Sequence, residues 1–286
     1  MRKKVIILAS LLLLIVAFFI VNNNSDLFDP KPYDKIVSIG YKETSKGDSL
    51  KIKIYYPKST KKGLGISVVM FHGGGWKTGH MGQFYEHAKV MAANNITSIL
   101  VQYRTQETHG TTPFDALKDA RSAMRFIKQN ATKLKVDTTK LVAMGSSAGG
   151  HLALGTAMLT SYNDPQDNLK IDPSPTHLIL LSSIIDCGPK GFGDKQVKEA
   201  YKDFSPIHNI TPNLPPLLAL FGDQDRHTSP QTAQEFAALW RENGNSCELK
   251  IYPGQEHGFT EYTVSKENYQ QMIITALDQL KSWNFY

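Results

Sequence analysis

Six short apolar runs divide this chain: ISVVMF (66–71), ITSILVQY (96–103), KLVAMG (140–145), HLILLSS (177–183), LLALFG (217–222) and CELKIYP (247–253). Runs this short and this continuously apolar bury both faces, as strands of a parallel sheet do. The stretches between them have helical character. PFDALKDARSAMRFIKQNATKL begins with proline and sets Phe114, Leu117, Ala120, Met124 and Ile127 on one face. SPQTAQEFAALWRENG opens on Ser-Pro and closes on glycine. MGQFYEHAKVMAAN and KENYQQMIITALDQLKSW complete the set. Strand alternating with helix requires a parallel sheet with crossover helices on both faces. Ahead of these, KIVSIGY and LKIKIYYP alternate at period two, which predicts an antiparallel pair at one sheet edge. The expectation is an α/β fold with a mostly parallel, eight-stranded sheet. The longest irregular stretch, Cys187 to Asn213, is expected to form a small lid or surface excursion with about one helix.

At 286 residues and 41% hydrophobic, the chain has material for one large core. Its net charge is +6, half of it from Arg2, Lys3 and Lys4. With no basic run elsewhere, a nucleic-acid partner is not expected. Those three residues precede VIILASLLLLIVAFFIV, Val5 to Val21, a stretch of about 25 Å as a helix against a hydrocarbon core of about 30 Å. No A-x-A-like cleavage site follows it. Residues 1–24 are therefore read as a hydrophobic leader, retained as a membrane anchor, with a cleaved signal peptide as the alternative. Either way residues 25–286 form one catalytic domain outside the cytoplasm: tethered in the first case, secreted or periplasmic in the second. Cys187 and Cys247 fall at opposite ends of the expected sheet, too far apart to bridge.

KLVAMGSSAGGHLALGTAM holds Gly145-Ser146-Ser147-Ala148-Gly149. A serine flanked by glycines two places away, between a strand and a helix, is the pattern of a nucleophile elbow. A serine that attacks a carbonyl creates an oxyanion, which fixed N–H donors must meet. HGGGW follows the first of the buried runs, and glycines there let the backbone turn its amides inwards. Ala148, after the nucleophile, supplies a further donor. His72 is read as orienting this loop. The base and its orienting acid follow in the order Ser, Asp, His. Asp225 lies after LLALFG and His257 after CELKIYP, both at strand ends on the edge that Ser147 occupies. Asp223 and Asp186 are rivals for the acid. His151 is assigned to packing or capping of the elbow helix. The other histidines lack ligand spacing, and no metal or cofactor is expected.

From about Tyr33 to Trp283 the chain resembles the α/β-hydrolases, in particular the bacterial esterases and lipases with an HGGG loop, including the acetyl, acetylxylan and feruloyl esterase-like members. HGGGW, GSSAGGHLA, SPIHNITPNLPPLLALFGDQD and YPGQEHGF carry the resemblance, in order and in spacing. It implies Ser147, Asp225 and His257 as triad and Gly74, Gly75 and Ala148 as oxyanion donors. It departs at Asp225-Arg-His-Thr-Ser-Pro230, where relatives often have a short apolar residue and then Val-Pro. It also implies an ester substrate, by analogy a short acyl or feruloyl group on a carbohydrate or small alcohol. Amide hydrolysis of the formamidase or oligopeptidase kind is the alternative, and a non-catalytic binding protein on the same scaffold the more distant one.

Overall fold

The computed structural model describes residues 33–58, 65–283 and 285. The leader read in residues 1–24 lies outside them. Among the described residues no helix is long and apolar enough to cross a membrane.

Eight strands form one sheet: β1 (Lys35–Glu43), β2 (Ser49–Tyr56), β3 (Ser67–Phe71), β4 (Thr97–Val101), β5 (Leu141–Ser146), β6 (His177–Leu181), β7 (Leu217–Gly222) and β8 (Cys247–Tyr252). Their spatial order is β1-β2-β4-β3-β5-β6-β7-β8. β1 and β2 are antiparallel, β2 meets β4 antiparallel, and every later pairing is parallel. The chain thus belongs to the expected fold class. β3 to β5 and β7 are buried along their whole length, whereas β8, at the edge, alternates in exposure and carries Glu248 and Lys250. Charges on an edge strand discourage pairing with another chain.

Helices α1 (Tyr85–Ala93), α2 (Pro113–Gln129), α3 (Ala148–Met158), α4 (Pro230–Glu242) and α5 (Lys266–Ser282) cover the sheet. α2, α3 and α4 pack on one face with Val69 and Phe71. α1 and α5 pack on the other with Val68 and Met70. Alternate residues of one strand feed two cores, as the period of two demands. Helix starts match local chemistry. Thr112 forms a capping box with Asp115 ahead of Pro113, and Ser229 caps α4 ahead of Pro230.

The stretch from Cys187 to Asn213 differs from the single helix expected. It winds through four short turns, Asp194–Val197, Lys198–Ala200, Tyr201–Phe204 and Pro206–His208. Nor is it only a surface excursion. Phe204 is fully buried against Trp76, His151, Phe114 and Tyr162, so the segment is rooted in the main core. Phe204 is one of three aromatics in this stretch, with Phe192 and Tyr201, and its partners come from two helices and two loops elsewhere in the chain.

Candidate active site

β5 ends at Ser146 and α3 begins at Ala148, so Ser147 alone makes the turn. Its φ of 54° and ψ of −122° are a costly conformation for a residue with a side chain. The neighbours hold it there. Its N–H donates to Leu181 O at 2.9 Å, and its carbonyl accepts from Gly150, His151 and Ile184. The flanking glycines are needed for close approach. A Cβ on Gly145 would lie 2.1 Å from Gly149 O, and one on Gly149 would lie 1.9 Å from Phe71 O. Any side chain at either position would push α3 off the sheet.

The Ser147 hydroxyl sits 2.8 Å from His257 Nε2, across 110 residues of chain. His257 Nδ1 is 2.9 Å from Asp225 Oδ2. An ionised carboxylate only accepts, so Nδ1 carries the proton and Nε2 is left to accept from the serine. Asp225 is 4% exposed. Its Oδ1 accepts from the backbone N–H of His227 at 2.8 Å and of Thr228 at 3.1 Å. Burial alone would raise its pKa. The hydrogen bond and charge of His257, with the two amides, outweigh that and hold the carboxyl below its ordinary value. The His257 side chain is 21% exposed. A hydroxyl, an imidazole and a buried carboxylate in this line can move a proton off the serine and back.

Neither rival acid reaches His257. Asp223 accepts from Gly254 N–H at 2.7 Å, pinning the turn after β8. Asp186 accepts from Gly188 N–H at 2.8 Å.

The HGGG loop is held from both sides. Tyr103 donates to His72 O at 2.8 Å and stacks on the His72 ring at 4.1 Å. His72 Nδ1 donates to Gly73 O at 2.7 Å. Burial lowers the pKa of His72 to about 4, which keeps it neutral in this role. The expectation that His72 orients the loop matches this geometry. Gly74 and Gly75 have φ of 114° and 63°. Beyond them Trp76 is buried between His151, Phe192 and Phe204. The Gly73 amide is taken by Gln83 Oε1 at 2.6 Å. Among the described residues the amides of Gly74 and Gly75 have no acceptor. Ala148, as first residue of its helix, has no intrahelical one. His151 Nε2 donates to Phe204 O at 2.9 Å, a packing role that also ties down the stretch after β6.

Two recesses border this site. One of about 660 Å³ is lined by Gly73, Gly74, Gln83, Tyr85, Glu261 and Tyr262 among others. The second, about 330 Å³, is lined by Gln224, Arg226, His227, Glu256 and His257. The His227 ring meets that of His257 edge-on at 4.5 Å, and Phe192 meets His227 at 4.8 Å. Arg226 and His227 open the stretch that runs from Asp225 to Pro230. Among the described residues no group of three His, Cys, Asp or Glu could hold a metal ion.

Gln83, Glu261 and Phe192 were not foreseen at this site. None has a motif of its own, and each arrives through a segment whose path only the fold defines.

The BD-FAE family profile matches residues 52–192, and that of the dienelactone hydrolase family matches residues 201–283. Esterase 2 of Thermogutta terrifontis, solved phosphoramylated by tabun, superposes with a TM-score of 0.83. It is 30% identical, over 90% of this chain and 98% of that one. The carboxylesterase NlhH of Mycobacterium tuberculosis is 25% identical over 236 residues, 74% of this chain and 72% of that protein. An acetylxylan esterase of Xylanibacter ruminicola is 25% identical over 206 residues, 68% of this chain and 41% of its own. The fold, the elbow and these relatives define one class: the chain belongs to the α/β-hydrolase superfamily, among its serine ester hydrolases.

Proposed function

We propose that Ser147, His257 and Asp225 are nucleophile, base and orienting acid, and that the amides of Gly74, Gly75 and Ala148 form the oxyanion hole. One observation carries this reading: His257 bridges Ser147 Oγ and Asp225 Oδ2 at hydrogen-bond distance, next to the amides of Gly74 and Gly75, which have no acceptor among the described residues. Ser147 attacks the ester carbonyl as His257 takes its proton. The carbonyl oxygen becomes the oxyanion and is met by the free amides. His257 then protonates the departing alcohol. Water, deprotonated by the same imidazole, attacks the acyl-enzyme, and the acid leaves as Ser147 regains its proton.

The substrate we propose is a short acyl (acetyl) or feruloyl ester of a carbohydrate or small alcohol. The acetylxylan esterase relative supports the carbohydrate side. The open cleft of about 660 Å³, with two tyrosines and several polar side chains on its walls, suits a bulky hydroxylated alcohol.

Ser147→Ala should remove nearly all turnover of p-nitrophenyl acetate, up to about a millionfold, with the far-UV circular dichroism unchanged. A variant that keeps a tenth of the activity would rule Ser147 out as nucleophile. Comparing an acetyl ester with an aryl formamide tests ester against amide preference; faster turnover of the formamide would overturn the ester reading.

A further inference from the structure

The proposed machinery comes from loops that share no element. The glycine oxyanion donors follow β3 and the base follows β8. Two side chains, Gln83 and Glu261, join them. Gln83, in the short helical turn Met81–Phe84, accepts from Gly73 N–H through Oε1 at 2.6 Å. Its Nε2 donates to Glu261 Oε1 at 2.8 Å, across 178 residues. Glu261 in turn belongs to the His257 loop. Its N–H donates to Gly258 O at 2.9 Å, and its carbonyl accepts from Val264 and Ser265. The path from Gly73 to Gly258 is therefore two side-chain hydrogen bonds and one backbone turn.

The contacts around Gly73 show what this path controls. A Cβ built on Gly73 would lie 3.3 Å from Ser147 Cβ and 3.4 Å from Gln83 Nε2. Gln83 thus sits against the stretch of loop that faces the nucleophile. Gly73 has one polar group on each side, and each is held. Its carbonyl is taken by His72 Nδ1 and its amide by Gln83. The Gly74 N–H shares a peptide plane with the Gly73 carbonyl, and the Gly75 N–H shares one with the Gly74 carbonyl, which accepts from Lys77 and Thr78 at 3.1 Å. Losing the Gln83 bond frees the Gly73 amide at the head of this series and loosens the register of the Gly74 N–H against Ser147 and His257.

We infer that Gln83 and Glu261 are positioning residues, a clamp that sets the oxyanion loop in register with the base loop. The inference rests on the site assignment proposed above. The clamp touches no reacting atom, so it acts on the rate of the chemical step and not on the affinity of a small substrate. Misplacing a catalytic group by about 1 Å can cost on the order of 100-fold in rate.

The test uses the purified protein and p-nitrophenyl acetate, too small to depend on the large recess. Gln83→Leu and Glu261→Leu should each lower kcat on the order of 10- to 100-fold with KM within about twofold. Glu261→Gln keeps an oxygen for Gln83 Nε2 and should retain most of the wild-type kcat. Comparing Glu261→Gln with Glu261→Leu decides the matter even where Gln83→Leu fails to fold. Three outcomes would overturn the clamp: kcat unchanged in a folded Gln83→Leu enzyme, a rise in KM alone, or equal loss in Glu261→Gln and Glu261→Leu. Ser147→Ala in the same series separates the two levels. If it stays active, the site assignment is wrong; if it is inactive while both Leu variants are at full rate, only the clamp is wrong.

Discussion

Three aspartates stand near the ends of β6 and β7, and hydrogen bonding separates their roles. Asp186 accepts from an amide of its own turn and Asp223 from Gly254 in the turn after β8, while Asp225 faces the imidazole. Asp225→Asn should therefore lower kcat by about 10⁴-fold, because an amide cannot hold the histidine in the same tautomer. Asp223→Asn should stay within a few-fold of wild type. Equal losses from the two, measured at one pH on folded protein, would refute the assignment. At this scale the sequence was informative where chemistry demands a local pattern. Ser147 was legible because an elbow needs glycine on both sides, and a Cβ on Gly145 or Gly149 would come within 2.1 Å of a backbone oxygen. Gln83 and Glu261 were not legible. Their value lies in meeting each other across 178 residues, and glutamine and glutamate are common enough that neither stands out alone.

All eight strands were legible at the scale of elements, since buried and half-buried strands write different periods into a chain. β2, next to the edge strand β1, shows the half-buried pattern and β5, at the centre, the continuous one. The stretch from Cys187 to Asn213 resisted because nothing in it repeats. Its structure is imposed by Phe204, which enters a pocket made by Trp76, His151, Phe114 and Tyr162. Phe204→Ala should cost about 3–5 kcal/mol, as large buried aromatics do on truncation. Chemical denaturation would read that loss directly. A midpoint unchanged from wild type would mean that the segment is not anchored through this ring. Because the same segment carries Phe192 to the rim beside His227, its loosening should also raise KM for long-chain esters more than for acetate.

For the molecule as a whole, three buried imidazoles and the half-buried His177 shape the response to acid. Burial lowers the pKa of His72, His151 and His177 to about 4 each and that of His87 to about 3. A free histidine titrates near 6.5, so between about pH 6.5 and 4 the unfolded chain binds protons that the folded one refuses. Stability is then at its full value above about pH 6.5 and falls progressively below it. The urea midpoint should be flat from pH 7 to 8 and clearly lower at pH 5; the same midpoint at pH 5 and 7.5 would contradict the buried, neutral state of these rings. Cysteine placement has one more consequence. Cys187 is buried and its thiol is pushed well up, and burial raises that of Cys247 to about 11. Both are protonated at neutral pH and poor partners in thiol exchange. The native state contains no oxidative step, so the same sheet can be completed in a reducing cytosol or in an oxidising medium. Heterologous production needs neither a disulfide isomerase nor a controlled glutathione ratio.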